Sequence, residues 1–375
     1  MGLSSEWVAI LAGLSILGAA FLLSWSCELA ERYMSQSLAI LVLALVGVLP
    51  EYAVDLHFAW AAGKDISYAP YAIANMTGAN RLLIGVGWAT VVFLACWRGR
   101  TSQLEIPPRQ RLEVRFLLWA TLYSFLIPID GRIDLYDAFF LIALFGFYMV
   151  SAIRSDVDTE EDLEGPAALI DHEFTDRGRR AWAALFFVFA GFAIFISAEP
   201  FAESLVDLGQ QYDIDEFLLV QWVAPLASES PEFIVALLFA WRLRGSIGIG
   251  TLISSKVNQW TLLVGAVPIA YTISAGGLEG LPVSPRQAQE LWLTSAQSLL
   301  AGLLIADLSF HRREATVLLL LFLGQFLFPS SAVRWAFTGL YLAAFVGTLL
   351  LGSAKQRRAF VRLLFSLPGS DRSGA

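Results

Sequence analysis

The stretch VGVLPEYAVDLHFAW (46–60) returns 181 residues later as ASESPEFIVALLFAW (227–241), and that recurrence decides the fold. In this register Leu45, Pro50, Glu51, Val54, Leu56, Phe58, Ala59, Trp60 and Ile66 meet Leu226, Pro231, Glu232, Val235, Leu237, Phe239, Ala240, Trp241 and Ile247, nine identities in 22 positions without a gap. Generic apolar similarity aligns Leu with Leu and Val with Val. It does not align a Pro-Glu pair and a Phe-Ala-Trp run at one spacing.

The repeat sits in an apolar chain. Of 375 residues, 57% are hydrophobic and 15% charged, with a mean hydropathy of +0.63. Soluble chains carry roughly 45–50% apolar and about 25% charged residues. A surface this poor in charge excludes an ordinary cytosolic enzyme, a nucleic-acid binder and a disordered scaffold. The net charge of -8 also argues against polyanionic partners. Cys27 and Cys96 each end an apolar run, so neither a disulfide framework nor a thiolate metal site is expected. A helix needs about 20 apolar residues to cross a bilayer, and eleven runs qualify, near 6–27, 37–61, 66–97, 112–128, 134–153, 181–206, 215–241, 246–274, 287–307, 314–329 and 333–353. The first lacks a basic start and does not read as a cleaved signal.

Basic residues mark cytoplasmic loops. Nineteen of the 25 Lys and Arg follow spans 1, 3, 5, 7 and 9 or lie in the tail, four lie on the other side, and Arg81 and Lys256 lie within spans. The N-terminus is therefore expected outside and the C-terminus inside. Segment 155–176 holds nine acids and no Lys or Arg. It reads as a solvated linker, with cation sensing as the alternative. The expected organisation is a first five-helix repeat (1–153), an acidic linker (154–180), a second repeat (181–330), and an extra helix with a basic tail (331–375). An odd number of spans per unit turns the second upside down. The expected fold is an all-α polytopic membrane protein with two inverted five-helix repeats, ten core helices, plus an eleventh. Inverted repeats with broken helices and a midplane site are characteristic of secondary transporters.

Buried charge locates the site. Glu51 and Glu232 each follow a proline inside a span, where an ionisable residue is a functional candidate by default. The proline frees a carbonyl one turn back, so carboxylate and carbonyl oxygens are offered together, as hard cations require. Repeat 2 adds Ser228 and Glu229, the latter on the Glu232 face. Span 8 contributes Ser255, Lys256, Asn258 and Gln259, and span 3 contributes Asn75, Asn80 and Arg81. Lys256 reads either as a permanent countercharge or as a group that sheds its proton as a cation arrives. Arg81 is expected to pair with a carboxylate or reach an aqueous face. Asp55, one turn past Glu51, is expected at the site or its vestibule, and His57 in plain packing.

These residues resemble the cation/Ca²⁺ exchanger superfamily, the sodium/calcium exchanger membrane region. Its repeats carry G-T-S-L-P-E on the second helix and G-N-x-x-G-S-N-I-x-[ND] on the third. Here VGVLPE (46–51) and ASESPE (227–232) occupy the first motif, and APYAIANMTG (69–78) and GTLISSKVNQ (250–259) the second. DGRIDLYDAFFLIALFGFYM (130–149) is similar to the family's fifth helix. The resemblance implies a prokaryotic-type exchanger in a plasma membrane, with antiport of a cation against Na⁺ or H⁺ by alternating access. It makes Glu51 and Glu232 the central acidic ligands. The family's Thr-Ser pair is Gly47-Val48 in one repeat and Ser228-Glu229 in the other. Its terminal Asn or Asp is Gly78 and Gln259, and the motif's Asn three residues earlier survives as Asn75 but is Lys256 in repeat 2.

The leading reading is thus a Ca²⁺ or other cation antiporter, with Glu51, Glu229, Glu232, Ser228, Asn75 and Gln259 binding the ion. Lys256, Asp55 and Arg81 would balance charge, and Ser255, Asn258 and Asn80 are secondary candidates. The alternatives are a Na⁺ or K⁺/H⁺ antiporter coupled through Lys256, and a non-transporting membrane sensor. No cofactor is expected beyond the transported cations, and the partners are inorganic cations and the lipid bilayer, with no nucleic acid. An intramembrane enzyme is disfavoured, since HEFTD (172–176) lacks the second His of a zinc motif.

Overall fold

Apolar runs separated by Gly- and Pro-containing turns fold here as a bundle of helices. The computed structural model describes residues 3–31, 33, 48–154 and 165–366. The first unit contains α1 (Ser5–Glu31), α2 (Leu49–Lys64), α3 (Ala69–Leu82), α4 (Ala89–Gly99), α5 (Arg111–Ser124) and α6 (Leu135–Arg154). After α7 (Gly165–Glu173), the second contains α8 (Asp176–Tyr212), α9 (Glu216–Trp241), α10 (Gly245–Asn258), α11 (Val264–Ala275), α12 (Pro285–Leu304) and α13 (Arg312–Leu327). Helices α14 (Ser331–Leu351) and α15 (Ala354–Phe365) follow. α3 runs into α4, and α10 into α11, through widened turns at Leu83–Trp88 and Gln259–Leu263. Such turns are frequent at functional sites.

Two tiny antiparallel ladders record the inversion. Strand β1 (Gln103–Glu105), between the third and fourth helices of repeat 1, pairs with β4 (Ser309–His311), between the fourth and fifth of repeat 2. β2 (Arg132–Ile133), between the fourth and fifth of repeat 1, pairs with β3 (Leu281–Pro282), between the third and fourth of repeat 2. A loop of one unit thus meets the next loop of the other, once at each end of the bundle. Only units of opposite orientation allow that exchange. The second helix of each repeat packs on the third helix of the other, α9 on α3 and α2 on α11. Gly78 makes the first crossing possible, because a Cβ there would strike the backbone of Gln221. α1 lies along α8 through a small-residue seam of Ala19, Leu23 and Cys27 against Ala190, Ala193 and Ile194, apart from the main core.

Seven described helices are long and apolar enough to cross a membrane by length and composition: Ser5–Ala30, Ile66–Gly99, Pro108–Ile129, Leu135–Arg154, Asp176–Tyr212, Glu216–Trp241 and Ser331–Leu351. Run 37–61 lies partly outside the described residues. The other three runs are helical but miss that standard for physical reasons. α12 buries Thr294, Ser295, Gln297 and Ser298 completely, so protein rather than lipid surrounds its polar groups. α10 and the widened turn that leads from it into α11 hold polar residues of the candidate site, and α13 has only 16 residues.

The ends of the expected linker and tail are more ordered than solvated segments. α7 places Ala167 and Ile170 against Leu29 and Ala183. The basic tail folds as α15, where Trp119 Nε1 donates to the Leu364 carbonyl at 3.1 Å and Arg115 to Ser366 Oγ at 2.9 Å. Residues 155–164 of the acidic segment lie outside the described residues.

Candidate cation-binding site

The two Pro-Glu copies shape their helices differently. In repeat 1, α2 begins at Leu49, so Pro50 occupies the first turn and Glu51 lies where helix N–H groups have no internal partner. In repeat 2, α9 runs unbroken through Pro225 and Pro231. Each proline lacks the donor for the carbonyl four residues back, here those of Gln221 and Ala227. The described helix of repeat 1 thus starts at its Pro-Glu pair, whereas that of repeat 2 runs through its own. Gly47 lies outside the described residues.

Glu51 and Glu229 are each 1% exposed, and Asp55, Asn75, Lys256 and Gln259 are fully buried. Gln259 Nε2 donates to Glu51 Oε2 at 3.0 Å and to Ser255 Oγ at 3.1 Å. Asn75 Nδ2 donates to Asp55 Oδ1 at 2.9 Å. Glu51 and Glu229, one from each repeat, are within hydrogen-bonding reach of each other, and Glu232 adds its charge to both. A carboxylate only accepts hydrogen bonds, so a bond between those two acids requires one proton between them. Glu51 Oε1, Asp55 Oδ2, Asn75 Oδ1, both Glu229 oxygens, Glu232 Oε2 and Gln259 Oε1 are buried without a donor. Buried oxygens left so are costly, and a proton or a hard cation satisfies them. Among the described residues no three His, Cys, Asp or Glu side chains form a ready-made metal cage. Carboxylates here alternate with amides, and the set suits an ion that shares both.

Lys256 Nζ donates to Asn80 Oδ1 at 2.6 Å and lies 4.3 Å from the Trp260 ring centre. Glu229 acts on it through space. Asn80 is anchored by its own Nδ2 donating to the Met76 carbonyl at 2.7 Å. Tyr52 Oη donates to Asn258 Oδ1 at 2.9 Å, joining α2 to α10. Ser228 is buried, but its hydroxyl donates to the Ala224 carbonyl of its own helix at 3.3 Å.

Arg81 stands apart from the central acids. It is 2.5 Å from Glu290 Oε2 on α12, donates to Gln325 Oε1 at 3.0 Å, and packs over Trp222. Arg334 of α14 lies 3.6 Å from the other Glu290 oxygen. Arg81 thus pairs with a carboxylate, in a buried ion network that ties α3, α12, α13 and α14 together. His57 is not plain packing either. Its Nε2 is 3.1 Å from Glu203 Oε1, and Tyr68 Oη donates to Glu203 Oε2 at 2.7 Å.

Sequence reading missed Glu290 and its counterpart. Pro108-Arg109-Gln110-x-x-Glu113 returns as Pro285-Arg286-Gln287-x-x-Glu290, at a shift of 177 rather than 181. A gap of four residues was the available signal, and an ungapped slide passes over it.

With this geometry established, comparison with known proteins gives a consistent result. Residues 5–154 and 182–330 match the family described as "Sodium/calcium exchanger protein". The chain belongs to this family. The crystal structure of an H⁺/Ca²⁺ exchanger, CAX, is 42% identical, covers 96% of this chain and 92% of its own, and superposes with a TM-score of 0.90. The fold also matches the sodium-calcium exchanger NCX_Mj (16% identity, 87% and 98% covered, TM-score 0.57) and native YfkE (13%, 91% and 93%, 0.62). A putative antiporter, CaxA of Alkalimonas amylolytica, is 27% identical over 154 residues, 40% of this chain and 45% of that protein's length. The aligned chain thus spans about half of that curated relative. Family and fold, an integral multi-pass membrane protein with inverted repeats, agree with the expectation from the Pro-Glu repeat.

Proposed function

We propose that this family member is a secondary-active antiporter that exchanges Ca²⁺ for protons at the Glu51–Glu229–Glu232 site. It works by alternating access and catalyses no covalent reaction. The reading rests on two buried acids, one from each repeat, that lie within reach of each other with oxygens left unpartnered, where one shared proton would join them. A divalent cation entering between them displaces that proton, so the two ligands compete for the same oxygens. The similarity to an H⁺/Ca²⁺ exchanger over nearly the whole chain supports the same choice. Occlusion with neither ligand would strand carboxylate charge in low dielectric, which makes exchange obligatory. Glu51, Glu229 and Glu232 hold the ion, Asn75, Gln259 and Ser228 add oxygen, and Lys256 balances charge beside Asp55. Ser255, Asn258 and Asn80 support these groups, and Arg81 is assigned to the scaffold.

The organisation proposed is two five-helix units (1–153 and 181–330), a linker (154–180) and an appended helix with its tail (331–375), eleven spans in all. The basic-loop asymmetry supports an external N-terminus and a cytoplasmic C-terminus in a prokaryotic plasma membrane. A second reading, Na⁺ or K⁺ against H⁺ with Lys256 in the coupling, is favoured by Lys256 itself. Its recorded hydrogen bonds go to Asn80 and not to a carboxylate. Liposomes holding the full chain separate the readings through Ca²⁺, Na⁺, K⁺ and H⁺ fluxes under imposed gradients. Ca²⁺ movement driven by a pH gradient without Na⁺, and lost in Glu232→Gln, is expected. Na⁺ or K⁺ movement without Ca²⁺ movement would select the second reading.

A further inference from the structure

The Pro-Arg-Gln-x-x-Glu motif begins the fourth helix of each repeat, immediately after β1 in one and β3 in the other. Because the repeats are inverted, the two acids lie near opposite ends of the molecule. Glu113 lies beside the β1·β4 ladder and Glu290 beside the β2·β3 ladder. Their surroundings differ in charge. Glu290 is paired with both Arg81 and Arg334 and is 2% exposed. Among the described residues no Lys or Arg forms an ion pair with Glu113. Arg109, four residues before it, acts only through space, and the Tyr148 hydroxyl of α6 lies within reach of it. Its Oε2 is enclosed and has no partner.

Tyr148 is 6% exposed and also adjoins Ser254 of α10. Ser254 precedes Ser255, whose hydroxyl accepts from the Gln259 amide that holds Glu51. A carboxyl group with an open oxygen thus stands at one edge of the structure that positions the central acids. Buried Gln110 brackets it on the same turn, with its amide packed on Gly250 of α10 and its Oε1 unpartnered. One carboxylate among an amide, a phenol and a hydroxyl is too little anionic charge for a divalent metal. A single proton matches it.

We propose that Glu113 is a second proton-binding carboxylate, loaded from the aqueous phase on the β1·β4 side and positioned by Tyr148. That side is cytoplasmic in the orientation proposed above, and the inference rests on the H⁺/Ca²⁺ reading. The step is simple: a hydronium ion gives its proton to a Glu113 oxygen, leaving water, and release reverses it. The groups that act on Glu113 are Arg109 from the turn before α5 and Tyr148 from α6, and Tyr148 in turn adjoins the uncharged Ser254 of α10. In repeat 2 two arginines fix the equivalent acid, so only one end of the molecule has this exchangeable station.

The test uses the full chain in oriented liposomes, with Ca²⁺ flux followed as the pH of each side is varied separately. Glu113→Gln is expected to flatten the dependence on β1·β4-side pH and to lower turnover on that side at least threefold. The dependence on opposite-side pH and the KM for Ca²⁺ stay unchanged. Glu113→Asp restores the profile, and Tyr148→Phe shifts it in the same direction by less. A Glu113→Gln protein with the parent's profile, or one altered equally from both sides, overturns the proposal. If Glu113→Gln does not fold, the Tyr148→Phe profile decides by the same criteria. A parent that moves no Ca²⁺ defeats the central reading and this one together. An active parent with an unmoved variant profile defeats this one alone.

Discussion

The two halves of the proposed cation site lie on equivalent helices of one repeated unit and carry different chemistry. Repeat 1 supplies Glu51 in the first turn of a helix, and Asp55 tied to Asn75. Repeat 2 supplies Glu229 and Glu232 on an unbroken helix that carries two prolines, with Lys256 on the next helix and Gln259 in the widened turn after it. Duplication preserved the scaffold, down to exchanged strand ladders and the Phe-Ala-Trp run. The charges diverged. Two acids, a positive helix end and an amide on one side face two acids, an amine and a second amide on the other, and the proton proposed to be shared by Glu51 and Glu229 would lie between them.

The strongest way to break this comparison is to remove an acid from each half. Withdrawing one member of a buried charged set costs about 3–5 kcal/mol, on the order of a hundredfold or more in affinity. Glu51→Gln and Glu232→Gln should therefore each abolish Ca²⁺ uptake into liposomes. Survival of either variant would make one half dispensable. Arg81→Ala is expected next in size. It strands buried Glu290 beside Arg334 alone and should lower stability by about 3 kcal/mol, seen as a fall in the melting temperature of the purified protein. A milder loss, about 1–2 kcal/mol, is expected for Arg334→Ala, whose pair is longer. Ion selectivity should be unchanged in both, because neither arginine touches the central acids.

Gly78→Ala probes where the halves cross. The added methyl meets the Gln221 backbone, and overpacking of this kind costs about 1–3 kcal/mol. The melting temperature should fall, with part of the Ca²⁺ affinity retained. Lys256→Met tests the charge difference itself. Removing a cation near the ion should tighten apparent Ca²⁺ binding by about tenfold while slowing turnover, measured by binding and flux on the same preparation. Unchanged affinity would mean that Lys256 carries no charge in the resting site.

Much of this was legible in sequence because it rests on spacing. Pro50-Glu51 and Pro231-Glu232 declare both the repeat and the buried acids, and the parity of spans declares inversion. What escaped depends on approach in three dimensions. The pairing of Arg81 with Glu290 links residues more than two hundred positions apart. His57 meets Glu203 only because α2 lies beside α8. α7 and α15 look solvated by composition, yet each has a few apolar or hydrogen-bonding side chains that dock on the bundle. Polar α12 looks unsuited to a bilayer until its position inside the protein is known.

The central claim is that Ca²⁺ displaces the proton held between Glu51 and Glu229. Calorimetric titration of the solubilised protein with Ca²⁺ in two buffers of different ionisation enthalpy counts the protons released. At least one proton per bound Ca²⁺ near neutral pH is predicted, with clearly fewer in Glu229→Gln. Ca²⁺ binding with no proton release in either protein would contradict the account.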